Sequence, residues 1–233
     1  NCASGMRALE VVCNDIALGK TDIGLAIGVE SMTNAPYLLP KARHGYRMGP
    51  GAIEDSMLHD GLVDELSGGH MGVTAENVAK LYGITRQECD ELAVMSHERA
   101  CKAIDEGKFK DEIVPVEIKT RKGVPVVDTD EHPIRGASLE SMAKLSPAFI
   151  KDGVVTAANA SGINDGAAAI VLASGEAVEK YGLKPMAKLV SWGQGGVDPK
   201  IMGVGPVPAS RQAMDKAGLK IEDIDLVEAN EAF

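Results

Sequence analysis

The chain has 233 residues, and 34 Asp and Glu residues against 24 Lys and Arg residues give it a formal charge of −10. A hydrophobic share of 45% is ordinary for a globular protein, so the composition excludes disorder and collagen. The negative charge and the lack of a Lys/Arg block argue against nucleic acid or an anionic membrane as a partner, because both bind through basic residues. No apolar run reaches the roughly 20 residues that span a bilayer, and no secretory leader pattern is present, so we expect a cytoplasmic protein.

The first two predicted elements are a helix and a strand. Apolar residues recur at helical spacing between Met6 and Ile16, with Ser4 at the N-cap and Gly19 at the end. The run Ile23–Val29 is short and continuously apolar, which is typical of a strand buried on both faces of a parallel sheet. The pair predicts part of a βαβ unit.

Between residues 33 and 162 the sequence changes to loops rich in Gly and Pro around two predicted helices. A shorter helix covers Val73–Leu81, and the capping box at Thr85–Glu88 begins a longer one. Ile113–Ile118 is predicted as a strand, and residues 120–147 as mostly irregular. A segment of this length between two regions that resemble sheets predicts an inserted subdomain. Long ordered loops usually carry functional residues.

Regular alternation of strands and helices returns after residue 163. The predicted strands are Ala167–Ala173, Ala187–Trp192 and Ile224–Ala229, and the predicted helices are Glu176–Tyr181 and Pro208–Ala217. This order predicts a layered α/β fold with a mainly parallel sheet.

The cysteines and histidines carry no metal-binding pattern, because neither C-x-x-C nor H-E-x-x-H occurs, and we predict no metal site. Cys13, Cys89 and Cys101 fall on helix faces and are interpreted as core residues. Cys2 differs, since it lies just before a helix, where unpaired N–H groups and the positive end of the dipole stabilise a thiolate. Small neighbours leave room for a substrate. The residues alone leave open whether this cysteine is a nucleophile or inert.

The sequence around Cys2 resembles the acyl-enzyme signature of the thiolase family. The matching residues there are Cys2-Ala3-Ser4-Gly5-Met6 with Ala8-Leu9. Other matching segments follow in the family's order, namely Glu30–Thr33, Gly69–Glu76, Lys110–Ile113, Leu145–Phe149, Thr156–Ala167, Asp198–Gly203 and Glu228–Phe233. The resemblance covers the whole chain. It is closest to the short-chain, biosynthetic acetyl-CoA acetyltransferases, with His70-Met71 as the most telling pair.

This resemblance implies an α/β fold with a layered α-β-α-β-α architecture, truncated at both ends, and an inserted loop subdomain. Residues 1–32 and 163–183 would form an incomplete N-terminal half. Residues 33–162 would form the coenzyme-A-binding loop domain, and residues 184–233 the start of the C-terminal half.

The resemblance also implies an acyltransferase reaction, the Claisen condensation of two acetyl-CoA molecules to acetoacetyl-CoA and coenzyme A, together with the reverse thiolysis. Cys2 would carry the acyl group as a thioester, and Asn230 would position a water in the oxyanion hole. The implied coenzyme A contacts are Leu62, His70, Met71, Arg135, Ser141, Phe149, Ala157, Ser161, Met202, Ala232 and Phe233. Coenzyme A thioesters would be the substrates, and no cofactor would be permanently bound. The parent protein would be a homo-oligomer, either a dimer or a tetramer.

Two alternatives stay open, a longer-chain 3-ketoacyl-CoA thiolase of fatty-acid degradation and a non-catalytic, thiolase-like lipid carrier. The family activates its nucleophile with the His of a Gly-His-Pro motif and takes the substrate α-proton with the Cys of a Cys-Gly-Gly motif. Neither motif occurs in these 233 residues. We therefore expect the chain to be an internal part of a thiolase and to be inactive by itself.

Overall fold

The structure is a computed structural model that describes residues 2–233. The α-helices are α1 (Ser4–Ala17), α2 (Met71–Tyr82), α3 (Arg86–Asp105), α4 (Leu139–Ala143), α5 (Gly175–Tyr181) and α6 (Pro206–Ala217). The strands are β1 (Ile23–Glu30), β2 (Tyr37–Leu38), β3 (Glu54–Asp55), β4 (Val63–Asp64), β5 (Gly69–His70), β6 (Val116–Glu117), β7 (Val126–Val127) and β8 (Gly166–Ala173). Short 3₁₀ turns occupy Met32–Asn34, Ala42–His44, Pro199–Val204 and Ile221–Asp223, and Met57–Leu62 forms a π-helical turn.

The chain divides into two compact units. The first contains the residues up to Thr74 together with Ile163–Glu228, and the second contains Ala75–Gly162 together with Ala229–Phe233. The domain boundaries expected at residues 32, 162 and 183 stay predictions.

The main sheet of the first unit contains β1 and β8, which run antiparallel with Ile23 opposite Ala173 and Glu30 opposite Gly166. The mainly parallel sheet predicted from the sequence is therefore wrong for the described residues. The physical reason lies at the end of β1, where the Asp165 carboxylate accepts a 2.9 Å hydrogen bond from the Thr33 amide. Because the chain leaves the sheet and returns to it at the same end, β8 must run opposite to β1.

Helix α1 packs closely on β1 because glycines stand where the two elements meet. A Cβ atom added to Gly28 would lie 3.4 Å from the Cα atom of Gly5, and one added to Gly24 would lie 2.5 Å from Cγ1 of Val12. The first turn of α1 therefore lies against the C-terminal half of β1. This packing places Cys2, just before the helix, at that end of the strand.

Burial on both faces of β1, expected from its apolar sequence, is wrong. Side chains alternate between the faces of a strand, and Ala26, on the same face as Gly24 and Gly28, is buried. Leu25 and Ile27 point the other way and are each 53% exposed. Among the described residues, the sheet has two strands and α1 covers one face, so the opposite face and the outer edges are open.

Three predicted strands are shorter or absent in the described residues. Ile113–Ile118 is reduced to β6, and neither Ala187–Trp192 nor Ile224–Ala229 forms a strand. A strand requires a neighbour for its backbone groups, and residues 187–195 run instead beside α6. The Ser191 hydroxyl donates to the Ala213 carbonyl of α6 at 2.6 Å, and no described strand forms backbone hydrogen bonds with this segment.

The predicted helices agree better with the structure. The Thr85 hydroxyl accepts from the Glu88 amide at 3.2 Å and the Glu88 carboxylate accepts from the Thr85 amide at 2.7 Å, which confirms the capping box of α3. The cap predicted at Ser4 is wrong, because Ser4 is already helical and Ala3, which has no capping side chain, occupies the N-cap. No helix within residues 2–233 is long and apolar enough to cross a membrane.

Candidate active site

Cys2 is exposed at the start of α1, directly before the first helical turn. The Arg7 amide donates to the Ala3 carbonyl at 2.9 Å, which closes this turn immediately after the cysteine. The remaining cysteines are half-buried, and burial raises the pKa of the Cys13 and Cys89 thiols. Cys2 is thus the thiol most accessible to a solute, and a thiol so placed can attack a carbonyl carbon.

Leu62, His70 and Met71 lie together in the first unit. Strands β4 and β5 pair Val63 with His70, so the residues on either side of this pair, Leu62 and Met71, lie at the same end of the hairpin. All three side chains are half-buried. The hairpin therefore brings together three of the residues that the family resemblance assigns to coenzyme A.

A backbone hydrogen bond fixes the tautomer of the neutral His70 imidazole. Its Nδ1 atom accepts a 2.9 Å hydrogen bond from the Gly72 amide, so in the neutral ring the proton is on Nε2. Burial lowers the pKa of His70, which favours this neutral form at physiological pH. An Nε2–H group is a suitable donor to a carbonyl or thioester oxygen.

Met202 also belongs to the first unit, in the 3₁₀ turn Pro199–Val204. The Asp198 carboxylate accepts from the Lys200 amide at 2.9 Å and caps this turn, and Met202 is half-buried.

In the second unit, four of the residues assigned to coenzyme A meet at the end of the chain. The rings of Phe149 and Phe233 pack edge to face, with centroids 6.1 Å apart. The Ser161 amide donates to the Ala232 carbonyl at 3.1 Å. Aromatic rings beside small residues offer the apolar lining that a pantetheine chain requires.

Asn230 is exposed and precedes these contacts by two residues. The next residue, Glu231, accepts a 2.8 Å hydrogen bond from the Ser96 hydroxyl of α3. Together with the bond between Ser161 and Ala232, this contact fixes the backbone directly after Asn230. Ser96 was not singled out from the sequence, since a serine within a helix carries no local signal of this role.

Arg135 and Ser141 are already engaged with protein groups. Two contacts of 2.8 and 3.0 Å tie the Arg135 guanidinium to the Asp105 carboxylate, and this pairing holds the pKa of Asp105 below its usual range. Arg135 and Asp105 line an open cavity of about 470 Å³. Ser141 forms the capping box of α4 with Ser138, and its hydroxyl donates to the Ser138 carbonyl at 2.8 Å.

Ala157 and Ser161 are exposed on a turn of residues 154–161. Glu76 and Asp90 hold this turn from outside it and Asn159 holds it from within, and none of the three was predicted from the sequence as a site residue. Acidic residues among the apolar positions of α2 and α3 were the available signal, because buried carboxylates require partners.

Two family models match most of the chain. The family model described as "Thiolase, N-terminal domain" matches residues 1–176, and that described as "Thiolase, C-terminal domain" matches residues 183–233. An acetyl-CoA acetyltransferase of Syntrophomonas wolfei is 56% identical over all of this chain, which covers 59% of that relative. The chain therefore spans little more than half the length of such relatives.

Two solved structures have the same fold over the whole chain. The structure of an acetyl-CoA acetyltransferase from Syntrophomonas wolfei has a TM-score of 0.95 and 63% identity, and the chain covers 58% of it. The structure of human mitochondrial 3-ketoacyl-CoA thiolase in complex with CoA has a TM-score of 0.92 and 43% identity, again with 58% covered. These similarities confirm the fold class expected from the sequence.

Proposed function

Because the chain belongs to the thiolase family, we propose that the whole protein is an acetyl-CoA acetyltransferase. It joins two acetyl-CoA molecules into acetoacetyl-CoA and coenzyme A and catalyses the reverse thiolysis. The observation that carries this proposal is the exposed Cys2 at the start of α1, within a sequence 56% identical to a relative of that name.

The reaction proceeds through a thioester on Cys2. The sulfur attacks the carbonyl carbon of acetyl-CoA, a new carbon–sulfur bond forms, and coenzyme A leaves as its thiol. The α-carbon of a second acetyl-CoA then loses a proton and attacks the acyl group, which forms the carbon–carbon bond and releases Cys2. Splitting the reaction in this way replaces one difficult step with two easier ones. Asn230 positions a water that stabilises the oxyanion.

The proton transfers of this scheme use groups beyond this segment. In the family, the His of a Gly-His-Pro motif activates the nucleophile and the Cys of a Cys-Gly-Gly motif takes the α-proton, and neither motif occurs in the 233 residues. The segment alone therefore does not turn over substrate.

Coenzyme A thioesters bind as substrates, without a permanently bound cofactor. The contacts with the ligand that the family resemblance implies come from Leu62, His70, Met71, Arg135, Ser141, Phe149, Ala157, Ser161, Met202, Ala232 and Phe233. A homotetramer in the cytoplasm that acts in fatty-acid metabolism is the accompanying prediction from the family resemblance.

A longer-chain 3-ketoacyl-CoA thiolase is the second candidate. It is supported by the similarity of the whole chain to human mitochondrial 3-ketoacyl-CoA thiolase, at a TM-score of 0.93 and 44% identity. Rates of thiolysis with acetoacetyl-CoA and with 3-ketooctanoyl-CoA separate the two, since the first candidate requires a clear preference for the shorter substrate.

The nucleophile is tested in the whole protein with Cys2→Ala, and Cys13→Ala, on the helix that follows Cys2, is the control. The wild-type and control proteins should gain the mass of one acetyl group from acetyl-CoA and should cleave acetoacetyl-CoA. The Cys2→Ala protein should do neither. Normal turnover by Cys2→Ala would overturn the proposal, and a wild-type protein that binds coenzyme A without turnover would point to the lipid carrier instead.

A further inference from the structure

The turn of residues 154–161 rests on side chains that lie beneath it. Glu76 of α2 is 5% exposed and Asp90 of α3 is 4% exposed, yet both are carboxylates. Burial of a charge costs free energy unless hydrogen bonds compensate for it. Each of these groups is paired with a group on the turn, so the turn is the partner that makes their burial possible.

Glu76 fixes the entry to the turn. Its Oε2 atom accepts from the Val154 amide at 2.9 Å, and its Oε1 atom accepts from the Val155 amide at 2.9 Å. A Cβ atom on Gly153 would collide with this carboxylate, so the preceding residue must be glycine for the backbone to approach. Two successive amides on one carboxylate define the direction of the chain, and both oxygens are needed for it.

Asn159 closes the turn on itself. Its Oδ1 atom accepts from the Thr156 amide at 2.7 Å. Its Nδ2 group donates to the Val154 carbonyl at 2.9 Å and to Oδ1 of Asp90 at 2.9 Å. A side chain that accepts at one atom and donates twice at the other is an amide, and a carboxylate of the same shape cannot replace it.

Asp90 connects this amide to the rest of the second unit. Nε of Arg86 donates to Oδ2 of Asp90 at 2.8 Å, and Nη2 of the same guanidinium donates to the Met142 carbonyl at 2.6 Å. The turn is therefore tied through α3 to α4.

The turn in turn positions the residues proposed to contact coenzyme A. It carries Ala157 and Ser161, and the Ser161 amide holds the Ala232 carbonyl. The Ala148 amide donates to the Val155 carbonyl at 2.9 Å, directly beside Phe149, whose ring packs on Phe233. A shift of the turn displaces all of these groups together.

We propose that Glu76 and Asn159 are positioning residues for coenzyme A binding, which act through the backbone of the 154–161 turn without contacting the ligand. The proposal rests on the proposed function, since that function supplies the ligand. A substitution that changes the hydrogen-bond donors or acceptors of Glu76 or Asn159 raises the KM for acyl-CoA substrates. The rate at saturation changes less, because neither side chain takes part in the proposed chemistry at Cys2.

The test uses the whole protein with the isosteric variants Glu76→Gln and Asn159→Asp. The first replaces one acceptor with a donor that faces an amide N–H group. The second removes both donated hydrogen bonds and places a carboxylate against Asp90. Each should raise the KM for acetoacetyl-CoA and the Kd of coenzyme A by about tenfold or more, since at least one buried hydrogen bond is lost, with kcat within about threefold of wild type.

A reciprocal exchange provides the rescue. In the double variant Asp90→Asn with Asn159→Asp, the new amide at position 90 donates to the new carboxylate at position 159. The part of the KM increase that comes from two facing carboxylates should therefore disappear, while the bond to the Val154 carbonyl stays lost. The control is Glu140→Gln on the exposed face of α4, whose carboxylate pairs with Lys144. It should leave KM and Kd unchanged. Unfolding temperatures accompany each measurement, because a loss of folded protein lowers the apparent kcat and leaves KM unchanged.

Folded Glu76→Gln and Asn159→Asp proteins with the wild-type KM and Kd would overturn the proposal, as would a double variant no better than Asn159→Asp. If Asn159→Asp does not fold, Asn159→Ala, which introduces no charge, replaces it with the same expectation. If wild-type protein binds coenzyme A without turnover, the proposed function fails and the Kd values alone decide the positioning role. If it binds no coenzyme A, both proposals fail.

Discussion

Asp105 holds the guanidinium of Arg135 through paired contacts, with Nη1 3.0 Å from Oδ2 and Nη2 2.8 Å from Oδ1. Arg135 is the residue that the family resemblance assigns to the adenine or phosphate side of coenzyme A. A guanidinium binds carboxylate and phosphate with the same pair of parallel N–H groups. Asp105 therefore competes with a phosphate for Arg135.

Substitution Asp105→Asn in the whole protein should tighten coenzyme A binding by about two- to fivefold at low ionic strength, because it removes a competing negative charge. The gain should shrink as salt is added, since both groups are exposed and screened. Titration calorimetry with coenzyme A measures the change. Glu106→Gln, which removes a neighbouring carboxylate paired with Lys108, is the control. Weaker binding by Asp105→Asn would show that Asp105 orients Arg135 for its ligand.

Substitution Gly24→Ala should lower the free energy of unfolding by about 1–3 kcal/mol, because the new methyl group would overlap Cγ1 of Val12. Adding Val12→Ala should recover part of this loss, since it removes the colliding atom. Gly166→Ala in β8 is the control, because nothing lies within 4 Å of its added Cβ. Urea denaturation measures the free energy of unfolding of the wild-type protein and of these three variants. Equal losses for Gly24→Ala with and without Val12→Ala would contradict the packing described for α1.

The pH dependence of stability should reflect the two histidines with opposite environments. Burial lowers the pKa of His70 in the folded state, so below about pH 6.5 the unfolded chain binds the proton more readily and stability falls. The Asp60 carboxylate raises the pKa of His59, so its contribution is complete below that pH and is lost as pH rises through the folded value.

Urea denaturation of the whole protein between pH 5 and 8 checks this expectation. Relative to wild type, His70→Asn should lose less stability as the pH falls, and His59→Asn should lose less as the pH rises. The effect of His59 should be the smaller because its side chain is exposed. Identical pH profiles for wild type and His70→Asn would contradict a half-buried, neutral His70.

The helices were the part of the fold most accessible to sequence reasoning. The capping box at Thr85 and the apolar spacing of α1 act within a few residues, so the local sequence contains the information. The strands predicted at Ala187–Trp192 and Ile224–Ala229 were wrong because an extended apolar run becomes a strand only beside a partner strand, which the local sequence does not specify.

The sequence by itself determined the family and five of the six α-helices of the described residues, all but α4, and it predicted Cys2 as the nucleophile. The signals for these helices and the motif around Cys2 lie in residues adjacent in the chain. Only the tertiary structure decided that β8 runs against β1 and that Glu76, Asp90 and Asn159 support one turn. The bond from Thr33 to Asp165 spans 132 residues and that from Asn159 to Asp90 spans 69. A carboxylate in a helical pattern is compatible with solvent or with a buried partner, and the choice depends on which backbone amides folding brings to it.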